Sequence, residues 1–270
     1  MEINKIYNED CFITMNHIPS NSINTIITSP PYNTGKRVEY WNNKIVNGER
    51  VYSRDKRYDE YLDTKTSQEY INWSIDLFQA YDKILMTDGC ILFNISYGND
   101  GEESIEIMWL LIAEIIKSTN FTVADCISWK KSAALPNSTS KNKLTRICEF
   151  IFVFVRKSEV LTFNTNKSVT TQSNKGQNFY EVFYNFIEAK NNDESNDLNK
   201  ATFSTELIRK LLLIYTKKND LIYDSFMGTG TTANACVIEK RNYLGSEISE
   251  KQCAYAEKRL RITKSQFQLF

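Results

Sequence analysis

Histidine is almost missing from this chain: His17 is the only one in 270 residues. The six cysteines (Cys11, Cys90, Cys126, Cys148, Cys236 and Cys253) form no CxxC pair. Zinc centres need closely spaced cysteine and histidine ligands, so no metal site is expected. Most of the cysteines lie in apolar runs and read as reduced core residues. A Cys11–His17 nucleophilic pair is the one cysteine chemistry the spacing leaves open. Long apolar runs are also lacking, and nothing approaches the roughly eighteen residues of a membrane span. The opening MEINKIYNED does not have the basic-then-apolar order of a secretory signal. A cytoplasmic location, or wherever host or viral DNA resides, is expected. Net charge is absent too, with 33 basic and 33 acidic residues. That argues against a histone-like binder but says little about a site-specific enzyme, for which the distribution of charge matters more.

The charge that is there is unevenly placed. Lys36 to Arg57 carries seven basic and three acidic residues, and Lys130 to Lys157 carries seven basic residues and only Glu149. Asp88 to Glu114 carries six acids and no base. Two basic stretches in irregular segments suit a phosphate-contacting surface.

The length suits one large α/β domain with a smaller insertion. Apolar runs at Ile23–Ile27, Cys90–Ile95, Phe121–Lys130, Cys148–Val155, Leu221–Tyr223 and Tyr243–Gly245 predict strands, with a turn at Asp88-Gly89. Helical spacing predicts helices over Ser67–Leu85, Glu102–Ser118, Ser204–Thr216, Thr231–Glu239 and from Ser249 onward, with Ser204 as an N-cap. Strands alternating with helices predict an α/β fold with a doubly wound, mostly parallel sheet. Residues 1–157 and 199–270 are expected to form the main domain. Residues 36–66 read as a long basic loop, and 158–198 as a small polar insertion.

Two constellations carry chemistry. The first is Thr28-Ser29-Pro30-Pro31-Tyr32-Asn33, directly after the apolar run Ile23–Ile27. Two prolines end a strand and hold an extended corner. At the C-terminal edge of an open α/β sheet such a corner lies where ligands bind. It displays a hydroxyl, carbonyls and an aromatic ring, but no strong acid or base. The second is Asp224-Ser225-Phe226-Met227-Gly228-Thr229-Gly230-Thr231-Thr232, between a strand and a helix. Its glycines allow tight turning, and the following helix start offers N–H groups to an anion. Glu247, about twenty residues on, suits ribose hydroxyls. Ala233 stands where a dinucleotide fingerprint has its third glycine, and no Gly-Lys-Ser or Gly-Lys-Thr of a phosphate loop occurs.

The first string resembles motif IV of the DNA amino-methyltransferases, and the second resembles the FxGxG motif of S-adenosylmethionine-dependent methyltransferases. The order, with the catalytic motif first, resembles the beta class. The resemblance implies catalytic roles for Ser29, Pro30, Pro31 and Tyr32. It also implies cofactor roles for Asp224, Phe226, Gly228, Gly230, Thr231 and Glu247. Tyr7-Asn8-Glu9-Asp10-Cys11 resembles the segment near the cofactor adenine, with Glu9 replacing a usual glycine, so only Asp10 carries over. Lys200-Ala201-Thr202-Phe203-Ser204 resembles the segment at the methionine end, which adds Thr202 and Phe203, with Ser204 standing in for proline.

An exocyclic amine is a poor nucleophile because its lone pair is delocalised into the ring. The Ser29 side chain and the Pro30 carbonyl can accept its hydrogens, and Tyr32 can stack on the base. Proximity to the sulfonium methyl then supplies most of the catalysis. A base inside a duplex must first be flipped out. The implied partner is double-stranded DNA, contacted by Lys36, Arg37, Arg54, Arg57, Lys130, Lys131, Lys141, Lys143 and Arg146. The insertion at 158–198 is the candidate for reading bases. Ser-Pro-Pro-Tyr and the Ala-Thr-Phe segment place cytosine N4 ahead of adenine N6 as the target. A homodimer and a cognate restriction endonuclease are further implied partners. The rival readings are a methyltransferase acting on RNA or another acceptor, a silent DNA-binding partner, and a nicotinamide-dependent oxidoreductase.

Overall fold

The computed structural model describes residues 1–33, 40–46, 49–55, 65–96, 106–134, 136, 138, 141, 144–193 and 203–267. Within these the strands are β1 (Lys5–Tyr7), β2 (Ile23–Thr28), β3 (Tyr40–Val46), β4 (Glu49–Asp55), β5 (Leu85–Ile95), β6 (Phe121–Lys131), β7 (Cys148–Arg156), β8 (Val169–Gln172), β9 (Asn178–Tyr180), β10 (Phe186–Ala189), β11 (Leu221–Asp224) and β12 (Asn242–Ser246). The helices are α1 (Cys11–His17), α2 (Ser67–Ile84), α3 (Glu106–Ser118), α4 (Thr205–Tyr215), α5 (Thr231–Ile238) and α6 (Glu250–Phe267).

Eight strands form one sheet in the order β1-β12-β11-β2-β5-β7-β6-β10. Every neighbouring pair is parallel except those involving β7, which runs against both β5 and β6. The alternation of side chains sorts the strands onto two faces. Ile27, Leu92, Val153, Ile222 and Tyr243 pack with α4, α5 and α6. Ile26, Phe93, Phe154, Tyr223 and Leu244 pack with α1, α2 and α3. The second layer holds an aromatic cluster in which Phe78 meets Phe93, Phe121 and Phe154 edge-on, at centroid distances of 5.3, 5.7 and 4.8 Å. Such pairs add stability beyond the area they bury. Helix starts are set locally. Thr66 and Glu69 form a capping box on α2. On α4 the Ser204 hydroxyl accepts from Leu207 N, the N-cap that the sequence predicts.

Several expectations are corrected. The basic segment after the corner is not a plain loop, because β3 and β4 pair in antiparallel register from Tyr40↔Asp55 to Val46↔Glu49. Asn47-Gly48 lies between them in sequence, and that dipeptide is a strong hairpin signal. Asp88-Gly89 does not precede the strand. It lies inside β5, where the register against β2 shifts between Ile23↔Leu85 and Thr25↔Cys90. A Cβ on Gly89 would sit 2.7 Å from the Asn24 carbonyl, so glycine is needed at this close approach. Within 158–198, β8 and β9 form a small exposed hairpin, but Phe186–Ala189 joins the main sheet as β10 beside β6. The short β1 and α1 were too brief for their periodicity to show.

Candidate active site

The C-terminal edge of the sheet gathers both constellations. β2 lies between β11 and β5. The chain leaves β2 at Thr28 into Ser29, Pro30, Pro31 and Tyr32, and leaves β11 at Asp224 into the glycine turn. A buried side-chain network joins them. The Thr28 hydroxyl donates to Asp224 Oδ1 at 2.9 Å, and the Thr232 hydroxyl donates to Oδ2 at 2.6 Å. Phe226 N donates to Oδ1 at 3.0 Å. Burial pushes the Asp224 carboxyl up to about 6, against the lowering effect of these three donors. Asp224 therefore ties the two corners together, and its oxygens are taken up by the protein.

The turn itself is shaped by two glycines in left-handed conformations, Gly228 at φ +54° and Gly230 at φ +80°. Gly230 is the N-cap of α5, and no side chain caps that helix. A Cβ on Gly230 would meet the Ala256 Cβ at 2.7 Å, so α6 packs directly against the turn. Glu247, at the end of β12, accepts Gly228 N at 2.8 Å and Ser249 N at 2.9 Å, one on each carboxylate oxygen. The turn thus combines an uncapped helix start, free of Cβ atoms at its bends, with a fixed carboxylate. That set fits a ligand carrying an anionic group and vicinal hydroxyls. The Thr231 hydroxyl accepts from Arg259 at 3.2 Å. Phe226 stands 5.7 Å from Trp73, ring to ring.

Around the proline corner, Pro30 and Pro31 are buried and Ser29 and Tyr32 are half-buried. The Tyr70 hydroxyl, from α2, donates to the Pro31 carbonyl at 2.7 Å. Asn33, at φ +50°, exchanges hydrogen bonds with the Lys65 backbone at 2.7 and 3.0 Å. The corner is therefore anchored on both sides. The Ser29 and Tyr32 hydroxyls are 3.0 Å apart. Asn94, near the end of β5, donates to the Tyr32 hydroxyl at 2.6 Å, and Tyr32 donates to Glu149 Oε2 at 3.1 Å.

Asn94 and Glu149 were missed in the sequence, although each left a trace. Asn94 is the polar residue in the apolar run Ile91–Ile95, and Glu149 is the sole acid of its basic stretch. A mostly parallel sheet with no antiparallel strand identified hides Glu149, because only an antiparallel β7 brings its first residues to the edge where β2, β5 and β6 end. Register confirms this placement: Glu149 faces Trp129, and Asn94 faces Ile151.

The remaining predicted residues fall in several places. Asp10 is the N-cap of α1, accepting from Phe12 N at 2.8 Å. Its segment reaches Glu247, whose carbonyl accepts from Asn8 at 2.9 Å. Phe203 is buried in the apolar cluster before α4. Lys130 pairs with Glu188 at 3.0 Å, and Lys131 pairs with Glu149 and stands over the Trp129 ring. Lys141 and Arg146 are exposed. Arg54 lies on β4, and Thr202, Lys36, Arg37, Arg57 and Lys143 lie outside the described residues. Cys11 is buried, and burial pushes its thiol well above the usual range, which removes it as a nucleophile. Among the described residues no cluster of three or more acidic, histidine or cysteine side chains could hold a metal, and no helix is long and apolar enough to cross a membrane.

Fold and site define a methyltransferase-like α/β protein with a Ser-Pro-Pro-Tyr corner beside a glycine turn. The family model described as DNA methylase (N6_N4_Mtase) matches residues 23–258, and the chain belongs to that family of beta-class amino-methyltransferases. Enzymes of this family use S-adenosylmethionine. The type II methyltransferase M.Cfr9I of Citrobacter freundii is 26% identical, over 94% of this chain and 87% of its own length. Two solved structures share the fold. The cytosine-N4-specific PvuII DNA methyltransferase has a TM-score of 0.69 at 17% identity, covering 94% of this chain and 85% of that one. The M1.HpyAVI–SAM complex has a TM-score of 0.60 at 20% identity, covering 95% of this chain and 98% of that one.

Proposed function

We propose that this protein is a site-specific DNA methyltransferase that moves the methyl group of S-adenosylmethionine to the exocyclic N4 of a flipped cytosine. The observation that carries this reading is the Thr28–Asp224–Thr232 network, which fixes the Ser-Pro-Pro-Tyr corner and the glycine turn side by side on adjacent strands. The uncapped start of α5 receives the cofactor carboxylate, and Glu247 receives the ribose hydroxyls. Asp10, Phe226 and Thr231 border that pocket.

The Ser29 hydroxyl and the Pro30 carbonyl accept the target amine's hydrogens, and the Tyr32 ring stacks on the base. The ring is suited to this because its hydroxyl is tethered, so the face is held before substrate arrives. Cytosine is the proposed base because Ser29 stands where adenine enzymes of the family commonly carry aspartate. PvuII methyltransferase, which shares the fold, is cytosine-N4-specific.

Double-stranded DNA lies across the C-terminal edge, and the basic residues of the 36–66 segment together with Lys141 and Arg146 contact its phosphates. The exposed hairpin β8–β9 belongs to the segment 158–198, which reads the recognition sequence.

Tritium transfer from methyl-labelled S-adenosylmethionine tests the reading. Label should enter duplex DNA of suitable sequence and should not enter RNA or protein. Cofactor binding with no transfer to any DNA would overturn the reading, and transfer to RNA or protein instead would separate another acceptor from a silent binding partner.

A further inference from the structure

The polar groups beneath Tyr32 form a directed chain. Asn94 has two amide hydrogens and three oxygens within reach: the Tyr32 hydroxyl at 2.6 Å, Glu149 Oε2 at 3.0 Å and Ser29 Oγ at 3.4 Å. The two nearer oxygens take them. The Tyr32 oxygen, accepting from Asn94, sends its own hydrogen to Glu149 Oε2 at 3.1 Å, a carboxylate oxygen that can only accept. The second lone pair of Tyr32 then accepts the Ser29 hydrogen across 3.0 Å. One lone pair of Ser29 Oγ then lies within 3.4 Å of the Asn94 amide, and the other is left for a substrate hydrogen. Lys131, from β6, pairs with the other oxygen of Glu149, Oε1, so Oε2 is left to the chain. Asn94 is 4% exposed, and its Oδ1 is buried without a partner. An orphaned buried acceptor is costly. Here it accompanies two amide hydrogens held on Tyr32 and Glu149.

We propose that Glu149 is the proton acceptor of the methyl-transfer step, reached from the target amine through the Ser29 and Tyr32 hydroxyls. The proposal rests on the reading that Ser29 faces that amine. As the nitrogen bonds to the methyl carbon, the methyl–sulfur bond breaks and sulfur keeps the electron pair. The surplus proton on nitrogen passes to Ser29 Oγ. The Ser29 hydrogen passes to Tyr32, and the Tyr32 hydrogen passes to Glu149 Oε2. Glu149 becomes neutral and returns its proton to water after the product leaves. A corner without an acid or base of its own thereby gains one from a distant strand. Ser29 and Tyr32 touch or adjoin the substrate, whereas Glu149 acts through them.

The test uses the full-length protein, a duplex DNA substrate and saturating S-adenosylmethionine. Single-turnover methyl transfer is followed in light and heavy water. Wild type should show a solvent isotope effect on the transfer rate. E149Q and Y32F should each slow transfer about tenfold or more, lose that isotope effect and keep cofactor affinity by calorimetry. A wild-type rate and isotope effect in either variant overturns the relay, as does a wild-type enzyme without an isotope effect. If E149Q does not melt as a folded protein, Y32F decides, because it keeps the ring and every charge. S29A separates the two levels. Full activity in S29A removes the underlying reading of the corner. Slow transfer in S29A with normal rates in E149Q and Y32F removes the relay alone.

Discussion

The two halves of the site are held by different means. The glycine turn is a matter of backbone: two left-handed residues, an uncapped helix start and a carboxylate bound to two N–H groups. The proline corner is stiff in its backbone too, but its polar groups sit in a side-chain network drawn from three strands and the loop after β2. A backbone cradle leaves substitutions little room, because a wrong φ cannot be relieved by a rotamer. A side-chain network can lose one member and keep its shape. Damage to the first half should abolish binding, and damage to the second should slow chemistry.

The largest expected effect breaks the cradle. Gly228→Val places a β-branched residue at φ +54°, which strains the turn that presents its N–H to Glu247. Calorimetry should show S-adenosylmethionine binding abolished, while far-ultraviolet circular dichroism shows a folded chain.

Next in size is the link between the halves. The folded Asp224 carboxyl titrates at about 6, against 3.8 unfolded, so between these values the folded state holds a proton that the unfolded state has lost. Stability should therefore fall as pH rises from about 4 to about 6, by up to roughly 3 kcal/mol. Asp224→Asn should flatten that part of the profile in urea melts at several pH values.

Smaller again, Ser29→Ala should lower kcat about tenfold to a hundredfold while leaving cofactor affinity within twofold, which separates the halves by kinetics against binding. The mildest change is Thr28→Val. It removes one donor to Asp224 with little change of shape and should cost about 1–2 kcal/mol of stability in a denaturant melt.

The same contrast explains what could be read from the sequence. The glycine-turn half is local. Asp224, Phe226, Gly228, Gly230 and Thr232 lie within nine residues, and Glu247 follows one strand later, so spacing alone exposes them. The proline-corner half is not. Tyr32 and Glu149 are 117 residues apart, and Asn94 comes from a third strand. Their meeting depends on β7 running antiparallel, which no local pattern around Cys148–Arg156 announces. Six of the eight strands of the sheet were legible because buried apolar runs are. The β3–β4 hairpin was hidden because the polar and charged residues around Asn47-Gly48 show no apolar alternation, and β10 because a four-residue edge strand of mixed burial carries almost no period.

The account turns on what the two halves do together, and the base itself reports it. Duplex DNA incubated with the protein and S-adenosylmethionine, then digested to nucleosides and weighed by mass spectrometry, should yield N4-methylcytosine. N6-methyladenine in its place, or no methylated nucleoside from a protein that binds the cofactor, would contradict it.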